Sequence, residues 1–197
     1  MSSTAGRRPV FAVFVAAVCA LSAEANGADS DLSRPFTELR HALAASPAFS
    51  GSWVADPERQ LAMKALEEKR SQDFLLLSAA WLQKFPVDAR VHLARAAVLA
   101  EAGDFVAAAH HRFAFYGLLE SILASGDGRS MNTAYRVISV DEEYTVLSFM
   151  GETVSKQRLD GGVDVLELNR KGAPNTMYFD VNIGLAATIR ALGAKHE

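Results

Sequence analysis

The stretch "SGDGRSMNTAYRVISVDEEY", Ser125 to Tyr144, decides how this chain folds. Its first four residues are turn formers, and glycine supplies the positive φ that a tight corner needs. "AYRVISV", Ala134 to Val140, is rich in β-forming residues. Ser139, with Glu142 three residues on, makes a capping box in which the hydroxyl meets a free backbone N–H and the carboxylate reaches back. Asp141, Glu142 and Glu143 then place negative charge at the positive end of a helix. Within one short segment the chain ends one element, enters a sheet and starts a covering helix. The segment reads as the joint between two halves that bury a common apolar interior.

Upstream of the joint the punctuation is helical. Pro35 suits the first turn of a helix running through "FTELRHALA", and "SPAFSGSW", Ser46 to Trp53, is a loop. Asp56 and Pro57 read as N-cap and first helical residue, ahead of apolar positions at Leu61, Ala62, Ala65 and Leu66. Ser71 is the expected cap of the next helix, which stops near Lys84 because Pro86 follows. Asp88 and Asp104 cap two more helices, the last running to about Ala124. That last helix carries Phe105, Phe113, Phe115, Tyr116, Leu118, Leu119, Ile122 and Leu123, and is expected to be buried on several sides. "QDF" at Gln72–Phe74 returns as "GDF" at Gly103–Phe105, 31 residues on. With Ala80, Trp81, Phe85 and Pro86 between them, the pair resembles a degenerate tetratricopeptide repeat, whose usual period is about 34 residues. An ordinary antiparallel helical bundle fits the same residues.

Downstream, "TVSKQRL" and "VDVLEL" flank "DGG", Asp160 to Gly162, which reads as a hairpin. "RKGAPN" is a second turn, "TMYFDVNI" a third strand of a meander, and Gly184 to Leu192 a closing helix. The expected fold is therefore α+β: N-terminal antiparallel, tetratricopeptide-like helices over residues 26–124, packed against a small antiparallel sheet and covering helix over residues 125–197.

The N-terminus reads as an export leader. Arg7 and Arg8 precede an apolar run from Val10 to Ala23, and "AEA", Ala23 to Ala25, offers small residues for cleavage after Ala25. The run is short for a membrane span of about 20 residues, so residues 1–25 are expected to be removed and to leave no stable span. The single cysteine, Cys19, departs with the leader, and with it any disulfide or thiol chemistry. The formal net charge of −3 gives no clustered basic face for nucleic acid.

The joint, with "GGVDVLEL" and "TMYFDVNI" after it, also resembles a bacterial domain family of unknown function. Members of that family read S-G-D-G-x-S-P-x-T-A-Y-x-V-I-S-x-x-E-E-Y, then a glycine-histidine pair before a strand, then Y-F-N-x-D. The resemblance spans roughly Ala89 to Ile183. Met131 stands where a proline is usual, Gly162-Val163 replaces glycine-histidine, and "YFDVN" exchanges Asp and Asn. The resemblance implies fold and boundaries and brings no activity with it.

His110 and His111 are adjacent on a helix and point about 100° apart, so with His92 they read as a helix-packing seam, and no metal or cofactor is expected. "GDGRS", Gly126 to Ser130, lacks the lysine of a phosphate loop and the ligand spacing of a calcium loop, and is read as a turn stiffened by Ser130, Asn132 and Thr133. Asp141, Glu142 and Glu143 are expected at a solvated helix start, where their charged form is favoured and neither acid of a hydrolytic pair would arise. There is no G-x-S-x-G and no H-E-x-x-H. The polar residues most worth locating are Asp127, Tyr135, Asp180 and Asn182. The leading expectation is an exported, non-catalytic envelope protein that binds another protein; the alternative is a hydrolase with its site at those four residues.

Overall fold

A computed structural model describes residues 33–47, 49, 51, 53–170 and 174–193. The expected leader, the polar stretch after it and part of the "RKGAPN" turn lie outside the described residues. The order is α1 (Ser33–Ala45), a 3₁₀ turn (Trp53–Ala55), α2 (Pro57–Glu67), α3 (Ser71–Lys84), α4 (Ala89–Glu101), α5 (Phe105–Leu123), a 3₁₀ turn (Met131–Thr133), β1 (Tyr135–Arg136), α6 (Val140–Met150), β2 (Val154–Asp160), β3 (Val163–Leu168), β4 (Thr176–Asp180) and α7 (Asn182–Gly193). The architecture is α+β, with the helices first and a small four-stranded sheet after them.

Three helix starts follow the side-chain rules read from the sequence. The carboxylates of Asp56, Asp88 and Asp104 accept from the backbone N–H groups of Glu58, Val91 and Ala107 at 2.9, 3.1 and 3.0 Å. The fourth does not. Ser71 is the first residue of α3, and Arg70 before it makes no side-chain cap. The turn is satisfied by backbone instead: Lys69 takes φ +57° and Arg70 N–H reaches Ala65 O at 2.8 Å.

The sheet runs β1-β4-β3-β2. β2, β3 and β4 form the expected antiparallel meander, and the "DGG" hairpin closes with positive φ at both Gly161 and Gly162. β1 corrects the expectation of an all-antiparallel sheet. It pairs in parallel with β4, Tyr135 opposite Phe179 and Arg136 opposite Asp180. It is also shorter than "AYRVISV" suggested, because Ser139 and Val140 are taken by the start of α6.

The largest apolar cluster draws Trp81 from α3, Phe115, Leu118 and Ile122 from α5, Leu147 from α6, Leu166 from β3 and Phe179 from β4, all nearly inaccessible to water. A smaller one packs Ala62 and Ala65 of α2 with Phe74 of α3 and Val98 of α4. The expected all-round burial of α5 fails on one side. Its C-terminal half is buried, but Phe105, Val106, Phe113 and Tyr116 remain exposed. Residues 105 and 116 share one helical azimuth and 106 and 113 another nearby, so they form a stripe. Phe36 of α1 lies at its edge, edge-to-face with Phe113 at 5.6 Å. Among the described residues no helix is long and apolar enough to cross a membrane.

Candidate functional site

The glycine-aspartate corner folds onto itself. Asp127 and Gly128 N–H groups both reach Thr133 O, at 3.0 and 2.8 Å, and Asp127 Oδ1 accepts from Arg129 N–H at 2.9 Å and the Thr133 hydroxyl at 2.5 Å. Those two bonds hold the exposed Asp127 carboxyl below its usual pKa. Gly128 sits at φ +64°, and a Cβ there would meet the Tyr135 ring at 2.4 Å. The corner is then stitched to the sheet by Tyr178 N–H donating to Gly128 O at 3.0 Å.

Asp127 and Tyr135 are therefore brought together. Burial, then the nearby Asp127 charge, raises the Tyr135 phenol. Asp180 and Asn182 form a separate pair: Asp180 Oδ1 accepts from Asn182 N–H at 3.1 Å and from its side-chain amide at 2.8 Å, starting α7. The ladder sets Tyr135 against Phe179, so Asp180, one position on, lies on the other face of the sheet from Tyr135. The cleft described below takes none of the four into its walls.

The acidic triplet is where the sequence reading is overturned. Asp141, Glu142 and Glu143 are not at a solvated helix start; all three are buried, at 5%, 2% and 0% exposure. The expectation failed because α1, α2 and β3 cover the start of α6, and nothing local in "SVDEEY" encodes that. Glu142 is fully matched. Arg40 of α1 grips it with both arms, Nε to Oε1 at 2.8 Å and Nη2 to Oε2 at 2.6 Å, and Ile138 N–H adds 2.9 Å. Arg40 also donates to the Ser121 hydroxyl and to Arg136 O. Glu142 thus reaches back to Ile138 and not to Ser139, while the Ser139 hydroxyl keeps its half of the capping box on Glu142 N–H at 3.3 Å.

Asp141 is held less tightly, by Arg59 and Arg90 at 3.4 Å each. Burial and the neighbouring Asp88 raise its pKa against those two cations. Arg59 is shared with Asp88, at 2.6 Å, and Asp88 also accepts from the Trp81 indole at 2.8 Å while capping α4. Among the described residues, Glu143 has no donor on either oxygen. Its carboxyl faces Asp164 of β3, and burial, then Asp164, pushes its pKa up to about 8.

The histidines meet as a seam between α4 and α5. His92 Nδ1 and His111 Nδ1 are 2.9 Å apart, His92 Nε2 is 3.0 Å from Pro86 O, and Arg95 Nε donates to His111 Nε2 at 3.0 Å. These partners fix the protons. Arg95 supplies His111 Nε2, so His111 carries its hydrogen on Nδ1 and gives it to His92, which carries its own on Nε2. Both rings are neutral: burial lowers His92, and burial with Arg95 lowers His111 to about 4. His110 lies on the exposed side of α5. Among the described residues no three His, Cys, Asp or Glu side chains group as metal ligands.

Where α6, α7 and the β2–β3 hairpin meet, a half-open cleft of about 180 Å³ is lined by Ser139, Val140, Leu159, Asp164, Leu185 and Thr188, among others. Its walls are chiefly aliphatic, and among the described residues Asp164 is the one ionisable side chain lining it.

These elements define an α+β domain in which a helical front and a sheeted back meet over buried ion pairs. A family model, Domain of unknown function (DUF4919), matches residues 45–190, which is most of the chain, and the protein belongs to that family. No curated protein and no solved structure matches it significantly.

Proposed function

We propose that this is an exported, non-catalytic binding protein of the bacterial envelope, and that the apolar stripe of α5 is its contact with a protein partner. The carrying observation is the stripe: Val106 is 85% exposed, Phe105 67% and Phe113 55%, on a helix whose C-terminal half is built into the core. Contiguous apolar groups of this kind on a water-facing helix are expected at protein contacts.

The repeat read in the sequence supports the same reading and suggests the partner's form. If α2/α3 and α4/α5 are two degenerate tetratricopeptide units, Phe74 and Phe105 are equivalent. Phe74 is covered by α2 and by Val98 of the next unit. Phe105 has no following unit and lies open. The missing neighbour in such a stack is a helix, so the expected partner presents an amphipathic helix to α5. The S-G-D-G signature is, on this reading, the corner that anchors the stack to its sheet.

The test is capture from a bacterial envelope extract by the tagged full chain and by a Val106→Glu/Phe113→Asp double variant. The wild type should retain a stoichiometric protein that the double variant loses, with circular dichroism unchanged. Equal capture by both, or none by either, would sink the assignment. Export is checked by sequencing the amino terminus of the mature chain, expected at Asn26.

A further inference from the structure

Glu143 is wholly buried in the first turn of α6, and among the described residues no donor reaches either of its oxygens. The acid whose charge bears on it most is Asp164 of β3, itself an acceptor and itself buried. Two carboxyls in a dry place hold together only when a proton lies between them; two carboxylates would repel. Asp164 is steadied from its other side, where Gln157 of β2 donates to Oδ2 at 2.8 Å. Gln157 in turn accepts from the Tyr144 hydroxyl at 3.4 Å at the protein surface. The charged groups acting on Glu143 are Asp164 from β3 and Glu142 from its own helix, and both disfavour a second negative charge. The arginines nearby are committed elsewhere, Arg40 to Glu142 and Arg90 and Arg59 to Asp141. Among the described residues the neighbouring Glu142 thus has a full set of donors, and Glu143 has none.

We propose that Glu143 and Asp164 form a proton-operated latch between α6 and the β2–β3 hairpin, closed while one proton sits between the carboxyls and released when it leaves. The chemistry is a simple ionisation. The Glu143 O–H bond breaks, the proton passes to water, and the negative charge left on Glu143 is set against the acid of Asp164 across the seam. The cleft is bordered on one side by Ser139 and Val140 of the α6 start and on the other by Leu185 and Thr188 of α7, with Asp164 in its lining. Release of the latch widens that cleft. Because the folded chain keeps a proton that an unfolded carboxyl gives up near its ordinary value, the closed state is favoured fully at acidic pH. The preference fades as pH rises through the folded midpoint near 8.

The experiment is infrared titration of the full chain, with hydrogen exchange as a second readout. One protonated-carboxyl stretching band should persist above about pH 6.5, where ordinary carboxyls are ionised, and vanish near the midpoint. Glu143→Gln should remove that band, and Asp164→Asn should move its midpoint downward by a unit or more. Exchange at β3 amides, corrected for intrinsic rates, should rise at least several-fold through the same midpoint in the wild type and stay level in Glu143→Gln. Absence of the band above pH 6.5, its survival in Glu143→Gln, or identical exchange in both chains would overturn the latch. Should either variant fail to fold, a carbon-13 carboxyl titration of the wild-type glutamates decides alone: a midpoint above about 6.5 at one glutamate supports it, and none above that value ends it.

Discussion

The two sides of α6 bury acids under opposite conditions. Toward α1, α2 and α4, Glu142 and Asp141 lie against Arg40, Arg59 and Arg90, and Glu142 has donors on both oxygens. Toward β3, Glu143 has no donor among the described residues and is set against another acid, Asp164. The first arrangement is what a fold needs when a charge must be buried: matched, hydrogen-bonded and costly to disturb. The second contributes nothing to stability while it is ionised, so its presence in the seam asks for a use. Adjacent residues of one helix therefore divide a fastening role from a responsive one.

The largest effect should come from breaking the matched side. Arg40→Ala leaves Glu142 buried without its partner and should cost about 3–5 kcal/mol in denaturant unfolding. A double change to similar-sized apolar residues, Arg40→Met with Glu142→Leu, should recover most of that loss. If it does not, the pair is more than a fastener and the contrast with Glu143 weakens. The unmatched side should respond in the other direction. Glu143→Gln should stabilise the protein by a few kcal/mol near pH 8 and by almost nothing near pH 4, since each pH unit in that window is worth about 1.4 kcal/mol per proton. Thermal melts across pH 4–9 read this directly.

The histidine seam supplies the opposite sign. His111 is held near 4, below its unfolded value, so its contribution is complete above pH 6.5 and is lost as pH falls toward about 4. Replacing it with glutamine should flatten the acid limb of the stability curve by about 1–2 kcal/mol, softened by its partial exposure. An unchanged acid limb would mean that the ring stays neutral for no energetic reason. Comparable in size is Gly128→Ala, which puts a Cβ into the Tyr135 ring at a left-handed position and should cost about 1–3 kcal/mol by chemical denaturation. The smallest effect belongs to Val106→Glu, which should shift stability by no more than about 0.5 kcal/mol, because the side chain it alters already stands in water.

Much of this fold was legible in the sequence because its signals are local. Asp56, Asp88 and Asp104 begin helices through contacts two or three residues away, and the "DGG" turn needs only its own glycines. What was not legible depends on distant partners. The parallel pairing of β1 is set by β4, more than forty residues on, and two residues of ladder leave too little alternation to read. The acids of "SVDEEY" look solvated until Arg40 is seen to arrive across 102 residues of chain. Likewise α5 looked buried all round because its apolar residues were counted without the neighbour that fails to cover Phe105 and Val106. Asp127 and Tyr135 share the corner, while Asp180 and Asn182 serve the start of α7, a division that no local pattern in those four residues encodes.

The parallel seam between β1 and β4 has a consequence for biosynthesis. Tyr135 and Arg136 emerge from the ribosome well before Thr176–Asp180, and until that last strand is made the residues that will carry β1 have no ladder to join. The helix pairs can assemble early from contacts close in sequence, but the corner and the arginine clamp close over long loops, and slowly. A nascent chain halted short of Thr176 should therefore hold its helices and its arginine clamp while Tyr135 and Arg136 stay unpaired and open to proteases.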